Sequence, residues 1–297
     1  MSTIYCIGCL TQDINVNVER FPQKGEQVKG YGLETIPGGK AQNQAIAARY
    51  YGADVKLLGT IGDDLYGEAI KKNLTSYNVP IDNIKTVKGA ASAIKLIARS
   101  HGEKQVIRDT SLDDSIYEED ILSFLDTAKK GDILLTSLEL SVSIVKYALK
   151  LASDKEMIII LNLAPATHDV IQLLPLCNYV ILNERNLMEL TGSIELENAS
   201  NSLKSLNTII TQGNDGVYFV DEDVKFPALN PDKVVDTYAA GDIFIGAFAC
   251  LLSQGKRAIE AVDFARGAAS LSCQSKGGIL SIKEKSLVLK AIDRDDL

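Results

Sequence analysis

Histidine occurs only twice in the 297-residue chain, at His101 and His168. Two histidines that far apart make neither a histidine zinc site nor a hydrolase triad. The five cysteines, at positions 6, 9, 177, 250 and 273, are scattered and odd in number. Cys6 and Cys9 flank the end of a strand, and reduced core cysteines in a cytoplasmic protein are the expected state. Positive charge is also scarce: 31 Lys and Arg stand against 39 Asp and Glu, a formal net charge of −8. That balance excludes a general attraction to nucleic acid or to an anionic membrane. An anionic ligand must instead be held locally, by backbone amides and a few cations. The opening Met1-Ser2-Thr3-Ile4-Tyr5-Cys6-Ile7 has no basic segment and no long apolar run, so no signal peptide is expected. The longest apolar runs are too short to span a bilayer. No G-x-x-x-x-G-K-[ST] phosphate loop, internal repeat or low-complexity linker occurs.

What is present is a composition of 46% hydrophobic and 24% charged residues, enough for one large domain or two modest ones. Strands are expected over 4–9, 55–61, 133–136, 157–161, 179–182 and 208–211, and helices over 41–51, 67–77, 118–128 and 141–152. After Ser253 the chain reads as mostly helical. Strands alternating with helices imply a mainly parallel sheet covered on both faces. Two stretches break the rhythm. In 13–19, Ile14, Val16 and Val18 alternate with Asn15, Asn17 and Glu19, and 27–36 reads as a second exposed strand. Residues 92–99 and 105–109 form a hairpin around His101-Gly102-Glu103. These stretches predict a small separate sheet, 13–36 with 91–109, against a main α/β domain of 1–12, 37–90 and 110–297.

Asp236-Thr237-Tyr238-Ala239-Ala240-Gly241-Asp242 precedes an amphipathic helical run from Ile243. A helix start with free amides, a positive dipole end and no bulky side chains is an anion cradle. An acid there either caps the helix or takes a proton. Phosphoryl transfer to a hydroxyl needs both amides for the phosphate and a carboxylate for the proton. A second glycine motif, Pro37-Gly38-Gly39-Lys40-Ala41-Gln42-Asn43, joins an extended segment to a helix. Its glycines allow close backbone approach, and Lys40 and Asn43, three apart, share one helix face.

The two motifs in this order, with Gly8…Asp13, Glu139, Asn183-Glu184, Thr211-Gln212-Gly213 and Lys276-Gly277-Gly278, resemble the ribokinase (PfkB) family of carbohydrate kinases over the whole chain. The resemblance implies a ribokinase-like three-layer α/β fold with a mainly parallel central sheet and a small β lid. It implies an ATP-dependent sugar kinase that phosphorylates a primary hydroxymethyl of a pentose, ribose or deoxyribose foremost. Asp242 would be the general base, and Ala239, Ala240 and Gly241 would offer amides to the transferring phosphate. Thr11, Asp13, Gly39, Lys40, Asn43 and Glu139 would hold the sugar. Asn183, Thr211, Gly213 and Gly216 would border ATP. Asp236, with carbonyls at Tyr238, Cys273, Lys276 and Gly278, would form a monovalent-cation site for K+, and Mg2+ would accompany ATP. Ketohexose, ketodeoxygluconate and nucleoside kinases are the alternatives, and a non-catalytic binding relative is the alternative of another class. Taken singly, Glu139 can equally cap the helix that Ser141 begins, Asn183 can cap a strand end, and Lys276-Gly277-Gly278 can end a helix.

The chain departs from the family pattern at several positions. Ala41 stands where G-G-K-G-x-N has its third glycine. Asn186 stands where N-x-x-E has its glutamate, which puts magnesium handling in question, with Glu184 or Glu189 as compensating acids. Thr11 replaces an asparagine near the sugar. Ile243 and Ile245 are apolar, as in deoxyribokinase-like members. In the lid, a Lys95–Asp109 cross-strand pair on the wet face is expected; the other reading is that Lys95 meets a more polar substrate. The apolar residues Ile14, Val16 and Val18 suggest a homodimer through the lid.

Overall fold

The computed structural model describes residues 1–166, 168–193, 203, 206–229 and 231–295. In chain order, β1 (Thr3–Ile7) leads into β2 (Thr11–Val18), β3 (Gly30–Gly38), α1 (Lys40–Tyr50), β4 (Asp54–Gly62), α2 (Leu65–Ser76) and β5 (Ile84–Val87). A hairpin of β6 (Ile94–Ser100) and β7 (Glu103–Arg108) follows, then α3 (Glu118–Phe124), β8 (Ile133–Ser137), α4 (Val142–Asp154), β9 (Ile158–Asn162), β10 (Tyr179–Asn183) and α5 (Glu184–Thr191). The described chain closes with β11 (Thr208–Thr211), β12 (Val217–Phe219), β13 (Val224–Phe226), α6 (Ala240–Ser253), α7 (Ala258–Ser272) and α8 (Lys285–Asp295).

Nine strands form one sheet in the order β13-β12-β11-β10-β9-β8-β1-β4-β5, parallel except where β12 and β13 add on antiparallel. Its central strands are apolar on both faces, because helices cover both sides. In β1, Ile4 and Cys6 join one core with α1, α6 and α7, while Tyr5 and Ile7 join the other with α3 and α4. The same parity separates Cys6 from Cys9. They have C-x-x-C spacing, but they pack in opposite cores, and burial pushes the Cys9 thiol well up. The pair is therefore structural packing, not a redox couple.

The expected second sheet is present as β3-β2-β6-β7. β2 begins at Thr11 rather than Asp13, and β3 runs on to Gly38. α3 ends at Phe124, short of the expected 128, and the chain turns through Asp126-Thr127 instead. Short-side-chain Asp and Thr favour turn conformations over a last helical turn. Asp64 caps α2, accepting from the Gly67 amide at 2.8 Å. Its carboxylate also takes the Ser92 amide and hydroxyl, at 2.9 and 2.6 Å, which anchors the entry to the hairpin.

Candidate active site

The site lies where the carboxyl ends of the parallel strands meet the helix starts, the crevice that open α/β sheets offer to ligands. Gly38 and Gly39 bring β3 and α1 close to the start of β2. A Cβ on Gly38 would lie 2.2 Å from the Asp13 carboxylate, and one on Gly39 would lie 2.5 Å from the Cys9 carbonyl. Gly39 also holds φ at +90°. The motif is thus demanded by close approach within the protein, and it lays α1 against the sugar-side residues.

α1 and α6 pack together, and this contact assembles the base. Asn43 Nδ2 donates to Asp242 Oδ2 at 3.0 Å, and Gln44 Nε2 donates to Asp242 Oδ1 at 2.9 Å. Burial raises the Asp242 carboxyl above its ordinary value, against the pull of Lys40 and of these two hydrogen bonds. A carboxylate held this way is oriented and more basic than in water, which suits it to take a proton. Gln44 escaped the sequence reading. Its signal was the run Gln42-Asn43-Gln44 in a helix whose other faces are buried alanine and isoleucine.

The preceding turn is strained in a useful way. Ala239 caps α6 in the left-handed region at φ 60°. The Ala240 amide turns back to the Thr237 carbonyl at 3.3 Å, and the Ile243 amide bonds the Ala239 carbonyl at 2.9 Å. The Gly241 and Asp242 amides carry no protein partner among the described residues. A Cβ at Gly241 would meet no atom within 4 Å, so the space above it is free for a ligand. Gly241 lines two adjoining cavities. One, of about 650 Å³, holds Lys40, Asn43, Lys95, Glu139 and Asp242. The other, of about 410 Å³, holds Asn183, Thr211, Gly213, Gly216 and apolar Phe244. Asn183 also caps α5, accepting from the Asn186 amide at 2.8 Å.

Behind the lining of the first cavity, Thr11 donates to the fully buried Asp13 Oδ1 at 2.6 Å, and Asp13 interacts through charge with the lining residues Lys95, Glu139 and Asp242. Asp13 Oδ2 and Asn43 Oδ1 are buried acceptors with no partner. Buried polar atoms are normally satisfied, so the unpartnered Asn43 acceptor on the cavity lining, with Asp13 close behind it, marks a place for hydroxyl donors. Burial raises Asp13, against the opposing charge of Lys95.

Glu139 is the electrostatic centre and does not cap α4, the helix that follows it. Its carboxylate takes the Lys40 amide at 3.3 Å and the ammonium groups of Lys40 and Lys95 at 3.3 and 3.4 Å. Burial, the largest influence, would raise it, yet Lys95, Lys40 and Arg108 together hold it down at about 2. The expected Lys95–Asp109 pair on the wet face is overturned. Lys95 lies opposite Arg108, and its side chain turns inward to Glu139, while the Asp109 amide bonds the Ile94 carbonyl. Asp109 and Lys95 have opposite strand parity once the register places Arg108 across from Lys95.

The residues expected around a monovalent cation are brought together. Asp236 accepts from the Tyr238 amide at 3.1 Å, the Cys273 carbonyl takes the Val235 and Asp236 amides at 2.7 and 3.1 Å, and Gly278 packs on the Tyr238 ring. Both lone-pair directions of the Cys273 carbonyl are thereby engaged, and the Gly278 carbonyl accepts from Ser281 at 2.6 Å. Arg99 from the small sheet also reaches Asp236, at 3.5 Å, with its guanidinium over Tyr238. Asn186 and Glu189 line the first cavity, and Glu184 lines the second. Among the described residues no cluster of three acidic, histidine or cysteine groups offers a preformed metal cage.

A base on one helix start, free amides beside it and two cavities meeting there define a phosphotransferase site. Residues 1–285 match the family model described as pfkB family carbohydrate kinase, and the chain belongs to that family. The chain is 34% identical to a ribokinase of Bacillus subtilis over 93% of its length and 94% of that protein's, and 28% identical to a deoxyribokinase of Salmonella typhi over 83% and 84%. Its fold matches a ribokinase of Arabidopsis thaliana complexed with ribose and ATP at a TM-score of 0.85 and 26% identity, covering 98% of both chains. The ribokinase-like fold and the carbohydrate-kinase class are thereby shown.

Proposed function

We propose that this carbohydrate kinase uses ATP to phosphorylate the primary hydroxymethyl of a neutral pentose, ribose or deoxyribose. The observation that carries the reading is the pairing of Asp242, fixed by Asn43 and Gln44, with the free Gly241 and Asp242 amides at one helix start. Relatives named ribokinase and deoxyribokinase support it. Lys40 and Lys95 are both paired with Glu139, so neither is left free to hold a sugar carboxylate or phosphate. That favours a neutral sugar over an acid sugar such as ketodeoxygluconate or a sugar phosphate.

In the mechanism, Asp13 and Asn43 accept hydrogen bonds from the sugar's ring hydroxyls, beside Thr11, Gly39, Lys40 and Glu139. Asp242 takes the proton of the hydroxymethyl as its oxygen attacks the γ-phosphorus. The bond from phosphorus to the β-γ bridging oxygen breaks, and ADP leaves with that electron pair. The free Gly241 and Asp242 amides stabilise the charge on the transferring group, an effect of about 2.7–4 kcal/mol per donor in a studied hydrolase, whereas the Ala240 amide expected beside them is turned back to Thr237. ATP lies along Asn183, Thr211, Gly213 and Gly216. Magnesium supplies charge neutralisation on the phosphates. Asn186 and Glu189, one acid and one amide, fit an ion held mainly by phosphates and water. A monovalent cation beside Asp236, with carbonyls at Tyr238, Lys276 and Gly278, would compete with Arg99 for that carboxylate, and the engaged Cys273 carbonyl fits it poorly.

The small sheet, 13–36 with 91–109, acts as a lid that excludes water from the transferring phosphoryl group. Its outer face, with Ile14, Leu96 and Ile107 in one cross-strand row, pairs with a second subunit; Val18, expected on that face with Ile14 and Val16, is instead buried in the protein's own packing. A cytoplasmic location accords with five free cysteines and a requirement for ATP. No helix among the described residues is long and apolar enough to cross a membrane.

The test is ATP-dependent phosphorylation across pentoses, deoxypentoses, ketohexoses, ketodeoxygluconate and nucleosides, with magnesium, with and without potassium. Preferred turnover of ribose or deoxyribose is expected. Preference for an acid sugar would overturn the neutral-pentose reading, and sugar binding without any turnover would favour a non-catalytic relative.

A further inference from the structure

The inward face of the β6–β7 hairpin has an unusual charge pattern. The register sets Lys95 opposite Arg108 and Arg99 opposite Lys104, with Ile97 and Val106 between them. Two like-charged pairs directly across one hairpin are unfavourable by themselves. They persist where anions face them, and three of the four cations meet one on the main domain. Lys95 reaches Glu139 at 3.4 Å, Arg99 reaches Asp236 at 3.5 Å, and Arg108 forms a two-pronged pair with Asp113 at 2.7 and 2.5 Å. Lys104 has no carboxylate within 4 Å among the described residues.

Its position is informative. Lys104 lines the cavity that holds Asp242 and Gly241, and also the neighbouring cavity along Thr237 and Tyr238. Its ammonium stands 5.8 Å from the centre of the Tyr238 ring, one residue before the left-handed turn of Ala239. Partial burial, with Arg99, Lys40 and Lys95 nearby, pulls Lys104 below the ordinary lysine range. Among the described residues the main domain thus gives a direct carboxylate contact to each inward lid cation except Lys104, on which Asp236 acts only from a longer distance.

We propose that Lys104 is a catalytic residue of the lid, whose ammonium contacts the γ-phosphoryl group of ATP and neutralises charge on it during transfer. The missing anion on the protein side is supplied by the substrate. Lys104 takes no proton in the step: Asp242 remains the base, and the lysine stays an ammonium throughout. A lid strand that carries this charge makes transfer conditional on lid closure, which keeps the phosphoryl group from water when no sugar is bound. This inference rests on the kinase reading of the site.

The experiment compares wild type with Lys104→Met and Lys104→Arg. It measures kcat and KM for sugar and ATP, and the affinities for ATP and ADP by calorimetry in the presence of sugar. The Lys104 side chain makes no hydrogen bond or ion pair among the described residues, so both variants should fold, and thermal unfolding checks this. Lys104→Met is expected to lower kcat by roughly 10–100-fold, below the range for a fully enclosed donor because the lid is open to solvent. KM for sugar should stay within about twofold, the preference for ATP over ADP should shrink, and Lys104→Arg should restore most of kcat. Unchanged kcat and unchanged ATP-over-ADP preference would make Lys104 a solvated lysine and overturn the proposal. A rise confined to the KM for sugar would assign its anion to the acceptor and overturn it as well. The wild type separates the two ideas. If it turns over no pentose, the pentose reading fails, and the ATP-over-ADP affinity ratio still decides Lys104.

Discussion

Two carboxylates in one cavity are driven in opposite directions by their neighbours. Asp242 is raised because burial outweighs Lys40, Asn43 and Gln44, whereas Glu139 is held at about 2 because Lys95, Lys40 and Arg108 outweigh burial. Such divergence separates roles. Glu139 stays charged and orders the lysines, and Asp242 has a proton affinity that a base can use. Replacing Asp242 with Asn should lower kcat by about 10²–10⁴-fold and leave ATP binding intact, which single-turnover kinetics and calorimetry would show. The acid limb of kcat/KM should fall above 3.8, the ordinary value of an aspartate, because protonated Asp242 cannot act as base. For stability the sign runs the other way at Glu139. A depressed carboxyl contributes fully above its unfolded value of 4.5, and the contribution is lost as pH falls toward about 2. Lys95→Met should cost about 3 kcal/mol, near the low end for a broken buried pair because Lys40 remains on Glu139. Denaturant unfolding measures this, and Lys95→Met with Glu139→Gln should recover part of it.

At the scale of elements, the site depends on how closely α1, β2 and α6 approach one another. Gly39 is where backbone meets backbone, with φ +90° and the Cys9 carbonyl 2.5 Å from a prospective Cβ. Gly39→Ala should cost at least about 1–3 kcal/mol from backbone strain alone. It should also raise KM for sugar, since relief of the clash moves Lys40 and Asn43. An unchanged KM would show that α1 holds its place without this glycine. Ala41, in contrast, is buried beneath the turn, 3.0 Å from a Cβ placed on Gly8, and takes no part in the cavity lining. The methyl that departs from the family pattern is absorbed by packing and does not narrow the sugar site.

Over the whole molecule, the lid's outer face remains apolar and open. Leu33 and Ile107 are 71% and 69% exposed, and Leu96 lies beside Ile107. A second copy of the lid is the proposed cover. Leu33→Glu with Ile107→Glu should shift the protein to monomer in sedimentation analysis, and a wild type that sediments as monomer would remove the dimer. The sequence by itself determined the alternation of strands and helices, the fold class, both glycine motifs and the position of Asp242, the proposed base, at a helix start. These are local signals: apolar periodicity, helix-start composition and glycine where backbone must come close. Only the tertiary structure decided that Lys95 turns inward to Glu139 rather than outward to Asp109, that Gln44 holds Asp242 together with Asn43, and that of the four inward lid cations only Lys104 has no carboxylate in contact among the described residues. Each depends on strand register or on helices about two hundred residues apart meeting at a few ångströms. One residue of register reverses which face a side chain occupies, and nothing local in the chain reports it.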